Sequence, residues 1–340
     1  MHHRAHLALA LALACAGAGA AEDRGGTASL AYDNDFIADS DDGYSGGIHL
    51  GYVSRDVASF EDAPVPDAIG RAFARLPLVD RAGRRCFVAY GLSQLTYTPE
   101  DTASDALVVD DIPYSGLLLF STTAAAHDAT HLDAFTLIVG VVGPSSLAQE
   151  VQDGLHRATG SDLARGWDHQ LADEPILDAR YEHRWRAYEV AIRGRTCADA
   201  IVSGGAEVGN LATRATIGLG VRIGLDVPQD TFVPPPLHGQ ESVGALSRAA
   251  EAPARRWTIH LALGIDASLV GNLIQLDGNT FRDSHRVDHE HWIARGHAGL
   301  HARVGRAAVS LALVQASVPW DRPDGERWER YGRAMVGWDW

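Results

Sequence analysis

The sequence contains no lysine and only three cysteines, and its 44 acidic residues outnumber its 29 basic ones, giving a formal net charge of -15. This surplus of negative charge argues against binding to nucleic acid and against simple electrostatic attraction to anionic lipid. Without lysine, a bound phosphate must be met by arginine, by backbone N–H groups or by a metal ion, and the many carboxylates favour the metal ion. Cys86 and Cys197 could pair in an oxidising compartment, but two cysteines are too few for a disulfide scaffold.

Long apolar runs are lacking after the amino terminus. Residues 1–20 combine a basic start, an apolar run from Leu7 to Ala14 and small residues at positions 18–20, which predicts a secretory signal cut before Ala21. Residues 21–340 would then form one exported domain. No later stretch predicts a transmembrane helix, so the chain is either a soluble exported protein or a membrane β-barrel.

Strand patterns dominate the rest of the chain. Apolar residues alternate with arginine, glycine and threonine from Leu211 to Leu225, and a similar alternation runs from Trp257 to Leu269. One unbroken apolar face and one polar or glycine face are typical of a strand between lipid and a wet lumen. Weaker segments are 27–36, 44–55, 85–97, 114–126, 132–142, 176–192, 292–304, 307–315 and 328–340. Roughly ten to twelve strands result, and because open edges are not tolerated in hydrocarbon, an all-β, closed antiparallel transmembrane barrel is predicted.

One helical pattern interrupts the strands between Gly140 and Pro175. Pro144 can begin a helix, with Ser145 or Ser146 as its cap, and Gly160 can end it. Its apolar stripe and its polar set lie on different parts of the helical wheel, the first being Leu147, Val151, Leu155 and Ala158 and the second Gln149, Gln152 and His156. We therefore expect the helix to dock by the apolar stripe and to present His156 beside that surface.

An acidic segment ends the first strand, with Asp33-Asn34-Asp35-Phe36 followed by Asp39-Ser40-Asp41-Asp42. Its carboxylates and amides offer hard oxygen ligands for Ca²⁺, although a plain polar hairpin loop has the same composition and the spacing is not that of an EF-hand. Asp288-His289-Glu290-His291 lacks the helical H-E-x-x-H spacing of zinc enzymes, so we interpret it as a solvated loop.

Gly43-Tyr44-Ser45-Gly46-Gly47 matches the serine-hydrolase pattern G-x-S-x-G. That motif needs a strand before it and a helix after it, whereas the alternating residues from Ile48 to Tyr52 predict a strand. We interpret the match as accidental and expect the Ser45 hydroxyl to point into the lumen from a strand end.

Several motifs together resemble the outer-membrane lipid A 3'-O-deacylase family over nearly the whole mature chain. They are Asn34-Asp35, Tyr44-Ser45-Gly46-Gly47, Tyr97-Thr98-Pro99, Asp110-Asp111-Ile112-Pro113-Tyr114, Gly140-Val141-Val142-Gly143-Pro144, Gln152-Asp153-Gly154-Leu155-His156, Gly166-Trp167-Asp168-His169-Gln170-Leu171, Glu174-Pro175, Gly209-Asn210 and Leu276-Asp277-Gly278-Asn279-Thr280. The resemblance implies a barrel of about twelve strands. It also implies an active site near the outer leaflet, between the wall and a loop helix, and Ca²⁺-dependent ester hydrolysis.

The resemblance also assigns roles to individual residues. His156 matches the family's catalytic histidine, Asn34 and Asp35 match its metal-binding pair, and Ser45 stands at its hydroxyl position, which is usually threonine. Gln152 resembles a supporting residue one turn before the histidine.

Three positions depart from the family pattern. Gly46, Ile112 and Leu117 replace a common asparagine, arginine and tryptophan. These changes leave the matched site residues intact and concern the fit of the substrate.

The residue patterns and the resemblance together imply a monomeric outer-membrane enzyme that acts on lipid A or lipopolysaccharide with Ca²⁺ as its cofactor. In this scheme His156 is a general base for water, and the cation stabilises the oxyanion. One alternative makes Ser45 a nucleophile that forms an acyl-enzyme, and the substrate could also be a glycerophospholipid. Another alternative is a catalytically silent barrel, either a porin or an adhesion scaffold.

Overall fold

The protein is a closed antiparallel β-barrel of twelve strands. The computed structural model describes residues 25–35, 43–77, 79, 83–228 and 257–339. The strands are β1 (Gly26–Asn34), β2 (Gly43–Ser54), β3 (Arg85–Thr98), β4 (Ser115–His127), β5 (His131–Val142), β6 (Glu174–Ile192), β7 (Arg195–Gly209), β8 (Ala212–Leu225), β9 (Trp257–Leu273), β10 (Trp292–Val304), β11 (Ala307–Ser317) and β12 (Trp328–Asp339). Each strand pairs with its sequence neighbours, and β1 closes the barrel on β12, so the predicted fold class is confirmed.

The alternation along the strands produces an apolar outer surface. Six exposed apolar residues are paired directly across β1 to β6, and they are Leu30, Leu50, Leu92, Phe120, Val139 and Leu177. We call these six residues the belt row. Since paired residues in a sheet point to the same side, the belt row defines the outward face of each strand.

Strand β7 is absent from the segments that the sequence predicts. Its outward positions, marked by the exposed Val202 and Val208, are otherwise alanine and glycine. Small residues weaken the apolar alternation by which the other strands are recognised.

The two ends of the barrel differ in their connections. The first strand begins and the last strand ends on the side that holds the short connections 128–130, 193–194 and 305–306. Arg193 and Gly194 both have positive φ, 53 and 73, as a two-residue type I′ hairpin requires. That side, which we call the terminal end, also holds the long connections after β2 and β8. The opposite end, which we call the loop end, holds longer connections after β1, β3, β5, β9 and β11 and a two-residue connection after β7. Five of the six connections at the loop end are long, against two of the five at the terminal end, and outer-membrane barrels place short turns in the periplasm and longer loops outside, so we assign the loop end to the extracellular side.

The inner surface carries buried ion pairs along the barrel and an apolar cluster at the loop end. The pairs are Arg333–Asp33, Arg214–Glu207, Arg222–Asp199, Arg295–Asp266 and Arg303–Asp339. The cluster packs Tyr44, Tyr97 and Tyr331 with Ile112 and Trp320. Buried charges need partners of opposite sign, and these arginine and carboxylate side chains provide them for one another.

In the described part of the chain three α-helices connect the strands, namely α1 (Asp67–Phe73), α2 (Ala148–Thr159) and the short α3 (Ile274–Asp277). Among the described residues, no helix has both the length and the apolar character needed to cross a membrane. The α1 segment packs Phe60 and Phe73 over Val88 and Ala124, on the outside of β3 and β4 at the terminal end. Cys86 is buried in the same cluster and Cys197 is partly exposed, and both are free thiols, so the disulfide that the sequence leaves open is not formed.

Candidate active site

Helix α2 lies on the outer surface of the barrel, against β3 and β4 at the loop end. A Cβ added at Gly116 would lie 2.3 Å from the Cβ of Ala148, so the absence of a side chain there permits this approach. Gly116 lies four residues from Phe120 of the belt row and shares its outward face. Gln94, also outward, donates to the carbonyl oxygen of Ser146 at 2.7 Å. The helix therefore stands on the lipid side of the wall and outside the lumen.

The helix docks by a different face from the one that the sequence predicts. Its buried residues are Ala148 and Gln152, the latter only 8% exposed, whereas Leu147 and Leu155 are 54% and 37% exposed. The prediction that Leu147, Val151 and Leu155 dock on the barrel is therefore wrong. The wall beneath the helix offers glycine and polar side chains. On the outside of a membrane barrel an apolar stripe can face lipid, so it need not pack on the wall.

The predicted helix end is confirmed and the predicted start is displaced. Gly160, at φ 74, caps the helix and donates its N–H to the carbonyl oxygen of His156 at 2.8 Å. Pro144–Ser146 form a 3₁₀ turn, and Leu147 at φ 60 breaks the chain direction before α2 begins at Ala148.

Gln152 is held by an aromatic cluster at the foot of the helix. Its Oε1 accepts a hydrogen bond of 3.2 Å from Nε1 of the buried Trp167. The Trp167 ring packs on Ala148, Ala164 and Tyr114, with ring centroids 5.0 Å apart in the Trp–Tyr pair. This contact ties the segment after α2 to the helix and gives the Gln152 amide a defined position.

His156 lies one helical turn after Gln152 and is partly exposed. Its Nδ1 is hydrogen-bonded to the carbonyl oxygen of Asp162. Because a carbonyl oxygen can only accept, Nδ1 carries the proton, and Nε2 of the neutral ring keeps its lone pair. The ring is thus oriented with a basic nitrogen away from the backbone.

Asn34 and Ser45 meet at a bulge at the loop end of the barrel, where β1 and β3 end and β2 begins. The register between β2 and β3 shifts at Ser45, and Nδ2 of Asn34 donates to the Ser45 carbonyl oxygen at 2.9 Å. The Ser45 hydroxyl lies 2.6 Å from that of Thr98, which continues the outward series of β3. The expectation that this hydroxyl points into the lumen is therefore wrong, because the bulge turns it toward the outer face.

One row of paired residues joins this group to the base of the helix. Asn34 lies opposite Gly46, Gly46 opposite Thr96, and Thr96 opposite Gly116. Three interstrand spacings place Asn34 roughly 14 Å from Gly116, and eight helical residues carry α2 about 12 Å from Ala148 to His156. The helix starts over β4 and also contacts β3, the strand on the side of β2 and β1. The two groups of predicted site residues therefore share the same outer surface and the same end of the barrel.

Asn34 and Asp35 provide part of what a Ca²⁺ site requires. Hard oxygen donors are present, since Asp35 contributes a buried carboxylate and the amide of Asn34 is turned so that Nδ2 faces Ser45 and Oδ1 faces away. They supply a minority of the roughly six to eight oxygens that Ca²⁺ takes. Within the described ranges no group of three or more His, Cys, Asp or Glu is arranged to hold a metal ion. The donors fit Ca²⁺ in kind, and Phe36 and Asp39 to Asp42 of the acidic segment lie outside the described residues.

Several motifs that carry the family resemblance connect the segments at the loop end to one another. Glu174 accepts hydrogen bonds from the backbone of Thr280 and Phe281 and from the side chain of Asn210. Asn279 both accepts from and donates to the backbone of Ala172, at 3.0 and 2.9 Å. These contacts fasten the connection that carries α2 to the loops after β7 and β9.

The Asp288 to His291 segment is less solvated than the sequence suggests. Nε2 of His289 lies 3.1 Å from a carboxylate oxygen of Asp277, and the His289 side chain is only 6% exposed. The hydrogen bond to Asp277 raises the pKa of His289. Burial alone would raise the pKa of Asp277, but the hydrogen bonds from His289 and the Leu273 backbone outweigh burial and lower it. The interpretation as a solvated loop is therefore wrong for His289.

The residues that sequence reasoning did not identify act by packing or through the backbone. Gly116 admits the helix, Thr98 holds the Ser45 hydroxyl, and Asp162 orients His156 with a main-chain oxygen. Trp167 appeared only inside a family motif. None of these roles has a local signature in residue type or spacing.

Comparison with known families decides where the chain belongs. A family model described as "Outer membrane protein LpxR" matches residues 6–340. The chain belongs to the LpxR family of outer-membrane proteins. No curated protein sequence matches the chain.

Two solved structures superpose on the chain to different degrees. LpxR from Salmonella typhimurium superposes with a TM-score of 0.70 at 16% identity, covering 92% of this chain and 99% of that one. The beta domain of the Bordetella autotransporter BrkA gives a TM-score of 0.41 at 11% identity, covering 93% and 99% of the two chains. At such identities the likeness to the Salmonella protein shows the fold alone.

Proposed function

We propose that this LpxR-family protein is a Ca²⁺-dependent esterase that removes the 3'-linked acyloxyacyl group of lipid A. The observation that carries the proposal is the position of α2, which places Gln152 and His156 on the lipid side of the barrel wall at the extracellular end. A lipid of the outer leaflet can reach such a site by moving sideways in the membrane.

In the proposed reaction His156 is the general base. Nε2 takes a proton from the water that attacks the ester carbonyl, and Nδ1 keeps its proton on the Asp162 carbonyl oxygen throughout. The imidazolium later returns the proton to the departing alcohol. Gln152 acts through its bond to Trp167, which fixes the turn of helix that carries the ring.

Asn34 and Asp35 are the residues that would hold the cation. When bound, Ca²⁺ supplies positive charge that stabilises the oxyanion formed on the ester carbonyl. A cation at this place also offsets the repulsion between an acidic protein and the phosphates of lipid A, which no lysine can offset here.

A serine-nucleophile mechanism has weaker support. A nucleophilic serine needs a base within hydrogen-bond reach, and the partner of the Ser45 hydroxyl is the hydroxyl of Thr98. Under the water mechanism Ser45→Ala keeps at least about a tenth of the activity, since it loses one neutral hydrogen bond. Under the serine mechanism the same variant is inactive, and a covalent serine reagent labels the unmodified protein.

The deciding experiment is mass spectrometry of lipid A from Gram-negative cells that express the protein with calcium present. We expect the lipid A to lose one acyloxyacyl group with the unmodified protein and to remain intact with His156→Ala or Asp35→Ala, while each barrel still assembles. Unchanged lipid A with the unmodified protein overturns the proposal. A parallel assay on glycerophospholipid vesicles then separates a phospholipase from a catalytically silent barrel.

A further inference from the structure

Helix α2 has two different flanks beside the face by which it docks. With Ala148 and Gln152 against the wall, 3.6 residues per turn place an apolar set on one side of the docking face and a polar set on the other. The apolar flank is Val151, Leu155 and Ala158, continued one residue before the helix by Leu147. The polar flank is Gln149, Glu150, Asp153, His156 and Arg157.

The exposed leucines do not fit a helix surrounded by water. Leu147 and Leu155 are exposed while the polar Gln152 is buried, which is the reverse of the usual arrangement for a surface helix. Exposed apolar surface of this kind marks a place where another apolar partner lies.

The lipid-facing wall of the barrel continues up to the start of the helix. On β4 the outward series runs from the exposed Phe120 of the belt row through the half-buried Leu118 to Gly116, which lies under the start of the helix. On β3 the exposed Leu92 is followed by Gln94, which binds the Ser146 carbonyl. The surface that acyl chains cover on the barrel is therefore continuous with the foot of α2.

We infer that α2 lies in the plane of the outer leaflet, with Leu147, Val151 and Leu155 in the acyl chains and its polar flank toward the headgroups. The occupant of the apolar flank is thus the hydrocarbon of membrane lipid. Amphipathic helices that lie in the interface plane divide their faces in this way. The arrangement sets His156 at the depth where the ester bonds of a lipid lie.

Site-directed spin labelling tests the inference without any measurement of hydrolysis, so it can fail or succeed independently of the proposed function. In a Cys197→Ser background, with Cys86 buried, single cysteines carry a nitroxide at Leu147, Leu155 or Glu150. Phe120→Cys on the belt row is the hydrocarbon control, and Arg327→Cys, in the exposed loop after β11, is the aqueous control. The folded protein in lipid vesicles is then probed with molecular oxygen and with a water-soluble nickel chelate.

We expect the oxygen-to-nickel accessibility ratios at Leu147→Cys and Leu155→Cys to match that of Phe120→Cys. They should exceed that of Glu150→Cys, on the same helix, by on the order of tenfold, because the polar chelate is excluded from hydrocarbon. Ratios at both leucine positions that match Arg327→Cys overturn the inference. Inaccessibility to both reagents also overturns it, because the flank would then be covered by protein.

Discussion

The ring of His156 is held by main chain, because its Nδ1 donates to the carbonyl oxygen of Asp162 six residues later in the sequence. In serine hydrolases a carboxylate takes this place and stabilises the imidazolium by charge. The carbonyl of Asp162 fixes the same tautomer and ring orientation with a dipole. The segment between Gly160 and Trp167 therefore serves as the orienting partner of the proposed base.

Replacing the base while keeping this hydrogen bond should separate catalysis from positioning. In His156→Asn the side-chain amide can still donate to the Asp162 carbonyl, but it has no basic nitrogen, so lipid A deacylation should fall about 10²- to 10⁴-fold. His156→Ala should lose as much activity and, in addition, the protection of residues 160–163 from hydrogen exchange. Activity of His156→Asn within tenfold of the unmodified protein would contradict the general-base assignment.

Two glycines offer a matched test of helix placement. The added Cβ of Gly116→Ala meets both Ala148 Cβ and Ser146 Oγ at 2.3 Å, so α2 must shift on the wall. A shift of about 1 Å at a reacting group costs on the order of 10²-fold in rate, and we expect a loss of that size in the lipid A assay. The barrel should remain folded, as judged by its resistance to denaturing detergent without heating.

Gly154→Ala is the control for that loss. Nothing lies within 4 Å of the added Cβ, and alanine in mid-helix is more stable than glycine by about 0.5–1 kcal/mol. This variant should keep full activity and protect α2 slightly better from hydrogen exchange. Equal losses at Gly116 and Gly154 would show that the contact with the wall is irrelevant.

The barrel was predictable from sequence because alternation of apolar and polar residues is a local property of each strand. Where outward residues are small, as in β7, the same rule fails. The docking face of α2 could not be predicted, because helical periodicity shows which side chains share a face and says nothing about whether that face meets protein or lipid. The usual expectation is that the apolar face of a helix packs on the protein. To expect the opposite here, one must know that the helix lies outside the wall, which follows from the approach of Ala148 to Gly116.

The candidate site was predictable only in part for a related reason. Asn34, Asp35, Gln152 and His156 could be singled out by their motifs. Asn34 is held by the carbonyl oxygen of Ser45 and His156 by that of Asp162. These are backbone atoms that every residue has. Trp167 reaches Gln152 across fifteen residues, a distance at which no periodic pattern connects them.

Removing the charge of Asp35 should change how activity depends on the concentration of Ca²⁺. It should leave the proposed general base, His156, unchanged. Asp35→Asn keeps the shape and one oxygen donor of a buried side chain, so its activity should require a higher concentration of Ca²⁺ and recover in part when the ion is raised. His156→Asn should stay inactive at every concentration. Activity measured across a calcium titration with a chelator as the zero point checks this, and an Asp35→Asn curve that overlays the unmodified one would exclude Asp35 as a ligand.

The extracellular loop between β9 and β10 should loosen as the pH rises. Folding raises the pKa of His289 above the ordinary 6.5, so its contribution to stability is complete below that value and is lost as the pH rises through the raised pKa. Folding lowers the pKa of Asp277 below 3.8, so its contribution is present above that value and is lost as the pH falls through the lowered pKa. The pair therefore stabilises the loop most between pH 3.8 and 6.5.

Hydrogen exchange of residues 274–291 in the folded barrel, corrected for the intrinsic pH dependence of exchange, measures this effect at about pH 5.5 and about pH 8.5. Opening should be more frequent at the higher pH in the unmodified protein and insensitive to pH in His289→Gln, which cannot be protonated. His291→Gln is the matched control, because the ring of His291 bonds to the carbonyl oxygen of Val270 and not to a carboxylate. If His289→Gln keeps the pH dependence, or if His291→Gln abolishes it, the pair of His289 and Asp277 does not control the loop.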